Sequence, residues 1–286
     1  HGDLDSTMLT ASRELDVHMS ADGAGLLCQD CHTTVDHQTA GRQYGLPASH
    51  KDAMFAAAGV TSQMECASCH GEQPHGKGLL DRHTDRVSCQ ACHIPVYARG
   101  QSTKVWWDWS QAGHRDARGK PLKIAGPDGK TIYDGRKGAF RWERDLQPEF
   151  AWYDGTMRHV AIEDTIDPGR VVWLQRPSGS ADDPDSRLYP FKIHRGKQPY
   201  DVERRTMVVP KLAGAGGYWS EFSWDDAIRL GMASVDVPYS GQHGFVETAY
   251  AYPVTHQVAP ANRTTACNVC HLRTGSAELR PGLGEL

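Results

Sequence analysis

Four copies of one five-residue motif carry the chemistry that this sequence makes visible. Each copy has two cysteines separated by two residues and followed directly by a histidine, at positions 28–32, 66–70, 89–93 and 267–271. On one helical turn, two thiols and an imidazole at this spacing project from the same side. A flat macrocycle can then receive two thioether bonds and one axial nitrogen ligand. The motif therefore predicts covalent attachment of c-type haem.

The predicted attachment residues comprise all the cysteines of the chain and four histidines that ligate iron on the motif side, here called proximal. The thioether positions are Cys28, Cys31, Cys66, Cys69, Cys89, Cys92, Cys267 and Cys270. The proximal ligands are His32, His70, His93 and His271. We therefore expect four covalently bound haem c groups, each carrying one iron.

Zinc binding and dithiol redox chemistry are the competing interpretations of a Cys-x-x-Cys pair. Two such pairs can form one tetrahedral zinc site, but zinc does not require a histidine directly after each second cysteine. Histidine accounts for only 15 of 286 residues, so its chance placement at all four positions would be rare. The motifs use all 8 cysteines, which leaves none for a disulfide or a thiol nucleophile.

Each haem iron has a second axial position, which another histidine can fill from the opposite, distal side. A histidine close in sequence to one motif is well placed to reach a neighbouring haem, because its own haem is already occupied on that side. The candidates by this criterion are His18, His37, His75, His83 and His256, followed by His1 and His50. The 7 methionines stand in no suggestive context, and we interpret them as packing residues.

The composition limits the fold that the chain can adopt. Hydrophobic residues make up 39% of the sequence, and 29 glycines and 16 prolines favour loops and turns. Haem groups supply apolar core that the side chains need not provide. We expect a multihaem cytochrome c fold that is wrapped around its haems and loop-rich, with short α-helices and a minor β-hairpin.

The motifs are unevenly distributed, and few regular elements can be read between them. Residues 94–266 form an insert without any attachment motif, and the fold must return the fourth motif to the first three. We therefore expect one tetrahaem domain over residues 1–286. Local patterns predict a short helix after Ser49, a helix at 224–233 capped by Ser223, and a hairpin at 122–133.

The charge and hydropathy of the sequence indicate neither nucleic-acid binding nor a membrane-spanning segment. The net charge of −4 gives no case for nucleic-acid binding. No run approaches 18 apolar residues, so we expect no transmembrane segment. Haem attachment of this type occurs outside the cytoplasm, and we expect a periplasmic or extracellular protein whose export signal was removed.

Longer stretches of the sequence resemble the octahaem tetrathionate reductase family of multihaem cytochromes. They lie at residues 1–6, 12–19, 83–95, 104–109, 148–155, 189–200 and 255–260. The resemblance runs through nearly the whole chain, but to the C-terminal, four-haem half of such a protein. It implies that His18, His75, His83 and His256 are distal ligands, with His37 as a further one.

The sequence departs from this family in its number of haem motifs. The family has eight haems, and the resemblance implies that its active-site haem, with a lysine ligand, belongs to the N-terminal half. We expect this chain to be either a fragment of such a protein or a tetrahaem relative without the catalytic half. No residue here can be assigned as a catalytic lysine.

Electron transfer is the first functional hypothesis. An iron with histidine on both sides has no open position for a substrate, but it can exchange one electron, and closely packed haems form a path. The expected partners are other haem proteins or copies of the same chain, including a head-to-tail conductive extracellular filament in which His1 reaches the neighbouring subunit. The alternative is part of a multihaem reductase of tetrathionate, nitrite or hydroxylamine.

Overall fold

The computed structural model describes residues 2–32, 66–271 and 283–286, together with the backbone of a small ribbon at 34–35 and 38–39. The described helices are α1 (Cys28–Cys31), α2 (Ala67–His70), α3 (Gly78–His83), α4 (Cys89–His93), α5 (Tyr218–Glu221), α6 (Trp224–Ser234) and α7 (Cys267–Cys270). Single 3₁₀ turns occupy Ser6–Thr10, Trp109–Gln111 and Ala261–Arg263.

The described strands fall into the ribbon and one large sheet. They are β1 (Thr34–Val35), β2 (Gln38–Thr39), β3 (Thr103–Asp108), β4 (Lys123–Ala125), β5 (Thr131–Asp134), β6 (Gly138–Glu143), β7 (Glu149–Tyr153), β8 (Met157–His159), β9 (Val172–Pro177), β10 (Arg187–Asp201), β11 (Thr206–Met207) and β12 (His243–Pro253). The ten-stranded sheet has the order β4-β5-β6-β3-β10-β12-β9-β8, and β7 and β11 also pair with β10. The β3–β10 and β12–β9 pairs are parallel.

Strand β10 is the centre of the sheet. Alternate residues of a strand share one face, and Tyr189, Phe191 and Ile193 are 9%, 0% and 7% exposed. They pack in one cluster with Ala249 and Ala251 of the neighbouring strand β12. Large side chains on one strand therefore fill the space that the small residues leave on the next, and this cluster forms the main core.

The extent of the sheet corrects the expectation of a minor β-hairpin. The predicted hairpin is present as the antiparallel β4–β5 pair, but it is the edge of a ten-stranded sheet. The alternation in β10 is interrupted by Pro190, Gly196 and Pro199, which conceals the strand in the sequence. Gly196 is needed at its position because a Cβ there would lie 2.7 Å from the Trp107 carbonyl oxygen on β3.

Helix α6 begins where the sequence predicts. The hydroxyl of Ser223 accepts a hydrogen bond from the Asp226 amide at 3.3 Å, which caps the helix. At 11 residues, α6 is the longest helix in the described ranges. None of these helices has the length and apolar character needed to cross a bilayer. The helix predicted after Ser49 lies outside the described residues.

The sheet and the C-terminal segment together hold the third motif. The Ser88 amide, just before Cys89, donates to the Leu188 carbonyl of β10 at 3.0 Å. On the other side, the amides of Ala259 and Thr265 donate to the carbonyls of His93 and Cys92, each at 2.8 Å. The third motif is therefore fixed between the central strand and the segment that leads to the fourth motif.

Candidate functional site

Each Cys-x-x-Cys-His motif lies on a single helical turn. In three of them the histidine amide donates to the carbonyl of the first cysteine, at 2.8 Å for His32 and at 2.9 Å for His70 and His271. The third motif forms α4, which is capped by Ser88. All eight cysteines are described, and none is in a disulfide. Two thiols and one imidazole of each motif are therefore available on one turn.

Every proximal histidine faces a second imidazole. The pairs are His32 with His256, His70 with His18, His93 with His75, and His271 with His83, and their ring centres lie 6.0, 6.0, 6.1 and 6.2 Å apart. We call these pairs, with their motifs, sites 1 to 4 in the chain order of the motifs. Each distal ring belongs to a histidine that is close in sequence to one motif but faces the histidine of another.

The spacing of the rings fits one metal ion between the two members of each pair. An imidazole nitrogen binds a metal at about 2 Å, so two rings on opposite sides of one metal have centres roughly 6 Å apart. A tetrahedral zinc site would instead need four ligands close together. In the described ranges, no group of three or more His, Cys, Asp or Glu side chains is arranged to hold a metal. The donor set fits haem iron.

Hydrogen bonds of three distal histidines fix the ring nitrogen that remains for iron. Nδ1 of His256 lies 3.2 Å from Asp3 Oδ2, Nδ1 of His75 lies 3.1 Å from Asp81 Oδ1, and Nδ1 of His83 lies 2.8 Å from the Leu79 carbonyl oxygen. A proton on Nδ1 leaves Nε2 as the free ligating atom of a neutral imidazole. Such partners orient a ligand and tune its basicity.

Asp3 is the most enclosed of these partners. Its side chain is 7% exposed, and it also accepts hydrogen bonds from the amides of Thr255 at 2.8 Å and His256 at 3.2 Å. Burial raises the pKa of Asp3, but the hydrogen bonds and charge of His256 and the two amides outweigh it, and the pKa lies below its ordinary value. The carboxylate is thus the favoured form beside the His256 ring.

Asp16 joins the two chain segments that carry the distal rings of sites 1 and 2. Its Oδ1 accepts from the amides of His18 and Met19 at 2.9 and 3.0 Å. Its Oδ2 accepts from the amides of Gln257 and Val258 at 2.9 and 3.1 Å. One buried carboxylate therefore sets the positions of His18 and His256 relative to each other. Sequence reasoning missed Asp3 and Asp16, because a lone aspartate carries no signal of a partner far along the chain. It also missed Asp81, although its partner His75 lies only 6 residues away.

Electrostatic interactions between thiols indicate the order of the four motifs in space. Burial and the charge of Cys69 raise the pKa of Cys31, a hydrogen bond and the charge of Cys89 raise the pKa of Cys66, and burial and the charge of Cys270 raise the pKa of Cys92. The thiols of Cys66 and Cys89 share a hydrogen bond. Burial, followed by the negative charge of ionised Cys270, raises the pKa of the Cys92 thiol to about 11. Sites 1, 2, 3 and 4 therefore follow one another as a row in which the thiols of each motif lie close enough to those of the next to interact electrostatically.

The remaining candidate ligands cannot be placed in this row. His1, His37 and His50 lie outside the described residues.

The tryptophans of β3 and the turn after it lie in the insert, where the rings of Trp107 and Trp109 stack with centres 4.5 Å apart.

Attachment turns that each face a second imidazole, one of them hydrogen-bonded to the central sheet, define a multihaem c-type cytochrome. The chain belongs to the family of bacterial cytochromes c, which matches residues 104–274. Residues 11–103 match a second family, described as cytochrome c7 and related cytochrome c. No curated protein matches the chain.

A solved structure supports the same assignment over almost the full chain. The octahaem cytochrome c from Shewanella oneidensis is 38% identical, with a TM-score of 0.82 over 95% of this chain. This confirms the predicted relationship to the octahaem cytochromes and the multihaem cytochrome c fold. The chain spans 60% of the length of that protein.

Proposed function

We propose that this chain is a tetrahaem electron-transfer cytochrome in which each iron is held between two histidines. The observation that carries the proposal is the set of four facing imidazole pairs with ring centres 6.0–6.2 Å apart. Haem c, when bound, supplies one-electron exchange at its iron. Because the chain presents an imidazole on both sides of each site, it leaves no axial position for a substrate.

The side chains of the protein position the ligands and stabilise their protonation state. Asp3, Asp81 and the Leu79 carbonyl accept the Nδ1 proton of three distal rings, which directs Nε2 towards the metal position. Asp16 holds the segments of His18 and His256 together. Ligands held in this way would rearrange little when a bound iron changes its charge, which would favour rapid electron exchange.

The order in which the thiols of successive motifs interact supports a linear path. Electrons would enter at one end of the row, site 1 or site 4, and leave at the other. The hydrogen bonds between the third motif and the segment before the fourth support the proposal that residues 1–286 act as one tetrahaem domain. Since attachment of haem c takes place outside the cytoplasm, the proposed location is the periplasm or the cell exterior.

Such a path needs redox partners, and we propose that these are other haem proteins or further copies of this chain. A head-to-tail contact that does not close into a ring would give a filament. This part of the proposal depends on His1, which lies outside the described residues. Substitution His1→Ala should abolish the filaments seen by electron microscopy. The haem spectra of the monomer should stay unchanged, because its axial ligands lie elsewhere in the chain. Filaments formed by the variant would contradict the role of His1.

The alternative function is part of a multihaem reductase of tetrathionate, nitrite or hydroxylamine, as the family resemblance implies. Such chemistry needs an iron with an exchangeable axial position. The four imidazole pairs favour electron transfer over this alternative.

Mass spectrometry and spectroscopy of the haem-loaded protein test the proposed function. The mass should exceed that of the polypeptide by four haem groups. The electron paramagnetic resonance (EPR) spectrum of the oxidised protein should contain only low-spin ferric signals, and the reduced protein should not bind carbon monoxide. A high-spin signal accompanied by carbon monoxide binding would instead support the reductase.

A further inference from the structure

Two independent features of the sites alternate along the row, and both act on the reduction potential of the bound iron. We propose that the potentials alternate, low at sites 1 and 3 and high at sites 2 and 4, and that Asp3 and Asp81 are the positioning residues that lower the two low ones. The inference rests on the axial pairing proposed above and goes beyond it.

The first feature is the hydrogen-bond partner of the distal ring. At sites 1 and 3 a carboxylate takes part: Asp81 on His75, and Asp3 on His256, with side chains 10% and 7% exposed. Nδ1 of His256 also lies 3.0 Å from the Thr255 hydroxyl, which itself donates to Asp3. A carboxylate that accepts the Nδ1 proton makes the imidazole a stronger donor. Both the stronger donor and the nearby negative charge stabilise the ferric over the ferrous state, which lowers the potential.

The partners at sites 2 and 4 donate less electron density to the ligand. At site 4 the distal His83 bonds to the neutral carbonyl of Leu79, and Nδ1 of the proximal His271 is buried with no hydrogen-bond partner among the described residues. At site 2, Asp16 accepts from the backbone amide of His18 and not from its ring, so it does not make this imidazole a stronger donor.

The second feature is the angle between the two imidazole planes. The planes are inclined by 29° at site 1 and 16° at site 3, but by 57° at site 2 and 84° at site 4. Parallel rings interact with the same iron d orbital, which separates the d levels and stabilises the ferric state. Nearly perpendicular rings act on two orbitals equally and lose this stabilisation. The ring angles therefore shift the potentials in the same sense as the hydrogen bonds.

Alternation has a consequence for the direction of electron flow. An electron that moves from site 1 to site 4 meets uphill and downhill steps in turn, instead of one continuous slope. Because site 1 is low and site 4 is high, the row as a whole favours electron flow from site 1 to site 4, although the step from site 2 to site 3 is uphill.

An EPR-monitored redox titration of the haem-loaded protein separates the two classes of site. Near-parallel rings give rhombic low-spin signals, and near-perpendicular rings give strongly anisotropic signals with one large g value. We expect the haems of sites 1 and 3 to give rhombic signals, that of site 4 the most anisotropic signal, and that of site 2, with its rings inclined by 57°, a signal between the two. The two rhombic haems should be reduced at the lower potential. Equal potentials for the two classes, or the reverse order, would overturn the alternation.

Substitutions Asp3→Asn and Asp81→Asn test the two carboxylates separately, because asparagine keeps a side-chain oxygen that can accept the same hydrogen bond. Each should favour reduction of one rhombic haem by a factor of about ten, which is about 59 mV for one electron, and leave the other three unchanged. Asp108→Asn is the matched control: Asp108 is also buried, at 7% exposure, but its carboxylate bonds to Ser110 and Gln111. It should shift no potential.

The outcomes distinguish this inference from the proposed function. If all haems stay low-spin but neither variant moves a rhombic haem, the role of the carboxylates is wrong and the electron-transfer proposal stands. If the wild type contains high-spin iron or fewer than four haems, the axial pairing itself fails. Should Asp3→Asn not fold, Asp81→Asn and the wild-type titration still decide the question.

Discussion

The imidazole of His32 lies 6.0 Å from that of His256, although most of the chain separates the two residues. The segment of His256 is held in place by two buried aspartates near the N-terminus, since Asp3 and Asp16 both accept its backbone amides. The segment that contains Asp3 and Asp16 thus meets the segment of His256 at site 1, where the protein has to keep two ligands opposed.

Removal of one distal imidazole should change the spin state of the haem at that site and leave the other three haems unchanged. In His83→Ala, site 4 loses its second imidazole, and one of the four haems should become high-spin and bind carbon monoxide. The optical and EPR spectra should show about a quarter of the haem in the new state.

His159→Ala is the control for this variant, because His159 lies exposed on β8 and should leave all haems low-spin. A fully low-spin His83→Ala protein would show that His83 is not an axial ligand.

Loss of the Asp16 carboxylate should destabilise the whole haem-binding region. Asp16 is 3% exposed, and Asp16→Ala removes the acceptor of four backbone amides in two segments. Hydrogen bonds to a charged group contribute substantially to stability, so we expect a loss of about 3 kcal/mol in the free energy of unfolding. Guanidinium denaturation of the haem-loaded protein measures it. Asp22→Ala, at an exposed position, should change stability little; equal losses in both variants would contradict the argument.

The sequence alone could predict the attachment chemistry and much of the ligand set, because those depend on short-range spacing. The five residues of Cys-x-x-Cys-His are enough to predict haem attachment. The positions of His75 and His83 beside a motif identify each as a candidate distal ligand. The partner of each ring could not be predicted in this way. The approach of His256 to His32 depends on hydrogen bonds between distant segments, and no local pattern encodes them.

The sheet was underestimated for a related reason. The β4–β5 hairpin could be predicted from its turn, whereas β10 has its alternation broken by Pro190 and Gly196. Its strand character comes from neighbours on both sides, β3 and β12, which supply the pairing and the packing surface. Composition pointed to loops, but glycine and proline here occur within strands as well as between them.

Low pH should reduce the stability of the fold where strand β10 ends, because Asp201 at that end becomes protonated. Burial raises the pKa of Asp201, but amide hydrogen bonds from Arg204, Ser240 and Glu203 and the hydroxyl of Ser240 outweigh it, and the pKa lies below its ordinary value. Because the folded-state pKa is the lower one, the carboxylate stabilises the fold above the unfolded value of about 4, and this stabilisation is lost as the pH falls through the folded-state pKa.

Thermal denaturation at a series of pH values measures this contribution. Asp201→Asn should be less stable than the wild type at neutral pH, and the difference should shrink as the solution is acidified. A difference that stays constant with pH would show that Asp201 does not contribute through its charge.

Gly2 should be required for the position of Asp3. Its φ is +116°, and a Cβ there would lie 3.1 Å from both Thr103 Oγ1 and the Tyr97 ring and 3.2 Å from Lys192 Cδ. Gly2→Ala combines backbone strain with a tight contact, and we expect it to destabilise the protein by about 2 kcal/mol and to raise the potential of site 1 as Asp3 moves. Gly25→Ala is the control, since Gly25 also has a positive φ, +66°, but faces open space. A similar loss of stability in both variants would mean that backbone strain, and not the tight contact of the added Cβ, causes it.

The central claim is that each iron sits between one motif histidine and one particular distant histidine, and a density map of the haem-loaded protein that resolves the axial ligands tests it most directly. The account predicts four irons, bound by His32 and His256, His70 and His18, His93 and His75, and His271 and His83. An iron at any of these motifs whose second ligand is another residue, or a solvent molecule, would contradict it.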